Sequence, residues 1–128
     1  RQRPGPGNAL GQMKLVMPNP YSVYLHDTPN KNLFSESVRT FSHGCIRVGG
    51  AIDLAETLLE GSATPAKVDA ILASRETTRL ALPKPIPVYV AYFTAEGTED
   101  GNVAYFPDVY DRDPQQLAQY DVPTRCAA

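Results

Sequence analysis

Tyr21-Ser22-Val23-Tyr24-Leu25-His26 sets Tyr21, Val23 and Leu25 against Ser22, Tyr24 and His26 at alternate positions. A period of two over six residues predicts a strand with two different faces, and it places His26 at the end of the polar one. Working outward, Lys14-Leu15-Val16-Met17 is a short apolar run that Pro18-Asn19-Pro20 ends. On the other side, Asp27-Thr28-Pro29-Asn30 turns the chain, and Lys31 to Thr40 reads as an irregular polar loop. Ala51, Leu54, Ala55, Leu58 and Leu59 then recur at three and four, which predicts an amphipathic helix over about 51–60 that Gly61 stops. Thr64-Pro65 is a helix start, with Val68, Ile71 and Leu72 on one face. Pro83, Pro85 and Pro87 open a predicted strand over Val88–Thr94, apolar on both faces and therefore expected to be central. Glu99–Asn102 is a turn to a further strand, Val103–Phe106, making an antiparallel hairpin, and Asp113-Pro114 starts a short last helix.

The fold class predicted from this order is α+β, mainly β, with a mostly antiparallel sheet and a helix after the loop that carries Cys45. Four short strands and two or three helices barely close a core. Further strands on the N-terminal side of Lys14 are therefore expected to be missing, which would leave an exposed sheet edge. The 128 residues suffice for one domain with a modest core. Hydrophobic residues at 42% and charged residues at 20% are ordinary for a globular domain. A formal charge of −2, with no basic run among aromatics, gives no reason to expect nucleic acid as a partner. No apolar stretch approaches the ~20 residues of a membrane span.

Ser42-His43-Gly44-Cys45-Ile46-Arg47 carries the chemistry. A cysteine becomes a working nucleophile when an imidazole, a cation or a helix N-terminus favours its thiolate. His43 lies two residues before Cys45, Arg47 two after, and a helix begins close by. Gly44 lets the backbone bend, so that amide N–H groups around Cys45 can face a developing oxyanion. His26 is the only other histidine. Other readings stand beside this one. Cys45 could be a small core residue, or could pair with Cys126, the second of two cysteines. His26, His43 and Cys45 could hold zinc, although a structural site would want a fourth ligand.

Ser-His-Gly-Cys-Ile-Arg-Val, with His26-Asp27 upstream, resembles the signature of L,D-transpeptidase catalytic domains of the YkuD type. Tyr24-Leu25-His26-Asp27-Thr28-Pro29, Phe34 and Arg39 to Val48 are similar to the large periplasmic members that cross-link peptidoglycan. Asn8-Ala9-Leu10-Gly11 fits the stretch before the histidine strand there. The resemblance runs from about residue 4 to 113, and it makes residues 1–128 the C-terminal portion of one such catalytic domain.

The resemblance implies roles. Cys45 would attack the L,D bond between a diamino acid and the terminal D-alanine of a tetrapeptide stem. His26 would take the thiol proton, held by the backbone carbonyl of Asp27. His43, Gly44 and Cys45 would form the oxyanion region, and Ser42 would support the loop. Arg47 would bind a substrate carboxylate or steady the loop. Which histidine is the base stays open between His26 and His43, with His26 favoured because a residue two away on a tight turn often points elsewhere. Peptidoglycan stem peptides would be donor and acceptor, carbapenems would acylate the same cysteine, no metal or organic cofactor would be needed, and the location would be the periplasm or cell envelope. Transfer to water would make the protein an L,D-carboxypeptidase, and a third reading is a non-catalytic wall-binding module.

Overall fold

The computed structural model describes residues 2–5 and 7–120. It separates into two compact units, residues 1–86 and 87–128. Among the described residues the architecture is α+β, with three α-helices and short antiparallel and mixed sheets.

The first unit is organised around a three-stranded sheet, in the order β1 (Lys14–Leu15), β2 (Leu25–His26), β3 (Ile46–Arg47). β1 pairs antiparallel to β2, with Lys14 opposite His26. β3 pairs parallel to β2, with Leu25 opposite Ile46 and His26 opposite Arg47. Two backbone bonds beyond the ladder extend the parallel pairing: the Ile46 amide donates to the Tyr24 carbonyl at 3.0 Å, and the Val48 amide to the His26 carbonyl at 2.8 Å. Polar Lys31–Thr40 is the crossover this parallel pair needs, and Lys31–Ser35 of it winds into a 3-10 turn.

The predicted strand over Tyr21–His26 is paired only at its last two residues. Ser22 takes a left-handed backbone, φ 55°, and the Asn19 side chain brackets the stretch before it. Asn19 Nδ2 donates to the carbonyls of Met17 and Val23 at 2.9 and 2.7 Å, and Oδ1 accepts from the amides of Tyr21 and Val23 at 3.1 Å each. A side-chain amide that satisfies four backbone groups makes a turn where alternation alone suggests extension.

α1 (Ala51–Leu58) and α2 (Pro65–Ser74) follow the apolar spacing read from the sequence. Ala51, Ala55 and Leu59 lie one turn apart on a single buried face, and Val68 of α2 completes the buried apolar set among the described residues. Gly61, φ +81°, supplies the left-handed residue that ends the first helix. Thr64 caps the second, its hydroxyl accepting from the Lys67 amide at 3.3 Å, with Pro65 in the first turn.

In the second unit, β4 (Ala95–Gly97) and β5 (Val103–Tyr105) form the predicted hairpin, but its first arm is displaced. Val88–Thr94 is not a strand, and Val88, Tyr89, Val90 and Phe93 are exposed. A strand apolar on both faces needs a layer on each side and a neighbour on each edge. Here pairing begins only where the Phe106 amide donates to the Thr94 carbonyl, 2.8 Å. α3 (Asp113–Gln119) starts at the predicted Asp113-Pro114. It sits beside a polar knot in which the Tyr92 hydroxyl donates to Asp108 at 2.5 Å and the Thr94 hydroxyl to Asp113 at 2.8 Å. Among the described residues, no helix is long and apolar enough to cross a membrane.

Candidate active site

The parallel pairing of β2 and β3 decides the geometry of the site. Because Leu25 faces Ile46 across the ladder, Cys45, one residue before β3, comes beside Tyr24, two residues before His26. A cleft of about 300 Å³ in the first unit is lined by Cys45, His26, His43 and Arg47 together with Tyr24 and Leu10. All the sequence-predicted side chains except that of Asp27 therefore line one cleft, with Ser42 and Gly44 on its floor loop.

Within it, the groups differ in how firmly they are held. His26 is buried, 5% exposed, and its Nδ1 lies 2.5 Å from the backbone carbonyl of Asp27. A carbonyl only accepts, so this contact assigns the proton to Nδ1 and leaves the Nε2 lone pair unprotonated in the neutral ring. Tyr24 packs edge-on against the imidazole, ring centres 5.8 Å apart, and the Lys14 ammonium lies 5.0 Å from the centre of the Tyr24 ring. Tyr24 and Cys45 line the same cleft, and the neighbouring thiol first, with burial second, pushes the phenol above its ordinary pKa. Cys45 is half-buried and has no disulfide partner among the described residues. His43 is exposed. Cys126 lies outside the described residues.

The loop before β3 is closed on itself by Ser42. Its hydroxyl donates to the Cys45 carbonyl at 2.5 Å and accepts from the Gly44 amide at 3.1 Å. Gly44 has φ +142°, a region that residues with a Cβ rarely enter. The Gly44 N–H is thus engaged inside the loop. Arg47 Nη2 reaches the Phe41 carbonyl at 3.4 Å, tying the far side of the same loop. Among the described residues, no group of three or more His, Cys, Asp or Glu side chains is placed to hold a metal ion.

Behind the cleft, the Asp27 carboxylate is 96% buried with its residue and forms an ion pair with Lys31. Its other oxygen accepts from the Gln12 amide at 2.9 Å. Burial alone would raise this carboxyl. Lys31 and the amides of Gln12 and Thr28 outweigh it and hold the group below the ordinary carboxylate range.

Residues 1–72, which contain every one of these groups, match the L,D-transpeptidase catalytic domain (YkuD) family. The chain belongs to the L,D-transpeptidase catalytic-domain family. It is also 41% identical over 109 residues to a Haemophilus influenzae (strain Rd) protein provisionally named an L,D-transpeptidase. The match takes in 84% of this chain and 22% of that relative, so the chain spans about a fifth of the relative's length.

Sequence reasoning missed three features of the cleft and its surroundings: the placing of Tyr24 beside Cys45, the Asn19 bracket, and the Gln12–Asp27 link. The first was within reach, since alternation puts Tyr24 and His26 on the same face. The other two join loops through side chains, and no local period reports that.

Proposed function

We propose that the chain carries the catalytic centre of a cysteine-dependent L,D-transpeptidase acting on peptidoglycan stem peptides in the cell envelope. Cys45 Sγ attacks the carbonyl of the bond between the diamino acid and the terminal D-alanine of a donor tetrapeptide. His26 Nε2 takes the thiol proton and returns it to the leaving amine, so the C–N bond breaks as the C–S bond forms and D-alanine departs. The amine of a second stem's diamino acid then attacks the thioester. It gives up a proton to His26, the C–S bond breaks, and a 3→3 cross-link results with the thiol restored. The bond energy passes from donor to product through the thioester, and the step needs no cofactor.

The observation that carries this reading is the one cleft shared by Cys45 and an imidazole whose Nδ1 is tied to the Asp27 carbonyl. That tie leaves Nε2 as the basic atom and favours His26 over exposed His43 as the base. With the Gly44 amide engaged by Ser42, the Cys45 amide, which has no partner among the described residues, is the natural donor to the oxyanion. Arg47 keeps further N–H groups for a stem carboxylate while one holds Phe41.

The test is product analysis. The natural full-length protein, given a tetrapeptide stem, should release D-alanine and yield a stem dimer, and Cys45→Ala should yield neither. Tripeptide without dimer would replace transfer by hydrolysis. Dimer formation by Cys45→Ala would remove the cysteine from the mechanism.

A further inference from the structure

The site has a wall whose position no catalytic group explains. Ala9 and Leu10 line the cleft from a loop outside the sheet, and their apolar side chains have no group that could take part in bond making. Ala9 is held on its exposed side by the Gln2 side chain, which accepts from the Ala9 amide at 2.9 Å, and the tie from that loop to the sheet is a buried carboxylate. The Gln12 amide donates to Asp27 Oδ2, and the Asp27 amide donates to the Met13 carbonyl at 2.9 Å, so the two ends of the link close a small ring. Gly11 is pressed so close that a Cβ there would come within 2.6 Å of Asp27 Cβ and nearer still to the carboxylate. The Gly11 amide in turn donates to the Asn8 carbonyl at 2.9 Å, and Asn8 Oδ1 accepts from the Leu10 amide at 2.9 Å, which carries the constraint to the wall residues themselves. Lys31 neutralises the charge that this burial strands.

We infer that the Asp27 side chain is a latch that holds residues 8–12 as the wall of the cleft that receives the aliphatic part of the donor stem. Asp27 thereby has two separate jobs. Its backbone carbonyl orients His26, and its carboxylate sets the shape of the cleft through a different segment. It is a positioning residue in the second role. The inference deepens the transpeptidase reading and rests on it for the identity of the ligand. The latch itself is independent of that reading.

The test uses the natural full-length protein and two readouts. In Asp27→Ala, hydrogen exchange at the Gln12 amide should accelerate at least tenfold while the β2 and β3 amides keep their protection, because the carboxylate's charge-assisted bond to the wall segment is made to Gln12 and none is made to β2 or β3. Donor KM should rise about tenfold, more than kcat falls. Asp27→Asn, which keeps an oxygen for the Gln12 N–H, should recover most of both. Leu10→Ala leaves the latch in place. It should raise donor KM with Gln12 protection intact, and so reads the wall even where Asp27→Ala folds poorly. Unchanged Gln12 exchange in a folded Asp27→Ala protein would overturn the latch. Unchanged KM in Leu10→Ala would overturn the wall. A wild-type protein that exchanges as predicted but turns over no stem would instead overturn the transpeptidase reading, leaving the latch standing.

Discussion

Gly11→Ala should be among the most damaging single-methyl additions in the first unit. Two costs add. Gly11 has φ +60°, and an L-residue in the left-handed region loses about 1–2 kcal/mol relative to glycine. The new methyl would also sit 2.6 Å from Asp27 Cβ, far inside contact distance. Asp27 cannot swing away cheaply, being 4% exposed and holding both Gln12 and Lys31. Displacing it forfeits a charge-assisted bond worth about 1.5–3 kcal/mol. The sum is about 2.5–5 kcal/mol, which at a urea slope of about 2 kcal/mol/M lowers the denaturation midpoint by roughly 1.2–2.5 M. Urea unfolding followed by far-UV circular dichroism measures it. A double variant separates the two costs. With Asp27→Gly already present both the carboxylate and the Cβ that the new methyl would meet are gone, so adding Gly11→Ala should cost only the backbone part, about 1–2 kcal/mol. A loss below about 1 kcal/mol for Gly11→Ala alone, or strict additivity with Asp27→Gly, would refute the close approach on which the reasoning depends.

Further predictions concern charge, the thiol and the turn. Because the Asp27 carboxyl is held below the ordinary range when folded, its stabilisation is present at neutral pH and is lost as the pH falls through that lowered value. Lys31→Ala removes a main opponent of burial, so acid loss of Gln12 amide protection should begin at a higher pH than in the parent. Coincident acid profiles would contradict this. At neutral pH, with Lys31 54% exposed, the same variant should cost no more than about 1 kcal/mol. Tyr24→Phe removes the hydroxyl at the Cys45 thiol while keeping the ring against His26 and Lys14, so turnover should fall about tenfold with stability nearly unchanged; parental turnover would show that the hydroxyl is idle. Asn19→Ala removes four bonds to the turn before β2 and should destabilise by about 2 kcal/mol, with Val23 amide exchange rising most. Unaltered Val23 exchange would mean the turn holds its shape without the bracket.

What the sequence made legible follows from which forces are local. Helices α1 and α2 were readable because a run such as Ala51, Leu54, Ala55, Leu58 and Leu59 carries its own period, and because Thr64-Pro65 and Gly61 mark ends by local chemistry. The cleft loop Ser42–Arg47 stood out in the sequence because a cysteine, a histidine, a glycine and an arginine lie within six residues. The extended segments were readable only in part. Alternation over Tyr21–His26 is genuine, but four bonds from Asn19 outweigh it as far as Val23. The apolar run Val88–Thr94 has strand composition, yet its state depends on partners that composition does not name. The two-residue strand Ile46–Arg47 is too short to have a period, although its parallel pairing with Leu25–His26 is what brings Cys45 beside Tyr24. The Gln12–Asp27 link spans fifteen positions and joins a backbone amide to a side chain. Only folding reveals it.

On the proposed mechanism Cys45 Sγ becomes acylated, in a cleft where His26 is the base. Intact-protein mass after exposure of the natural full-length protein to a carbapenem tests it most directly, because the acyl group stays on the nucleophile. The account predicts a single adduct that maps to the peptide carrying Cys45, none on Cys45→Ala, and a strongly slowed reaction in His26→Ala with the fold retained by circular dichroism. A folded parent protein that takes up no adduct, or a Cys45→Ala variant that still does, would contradict it.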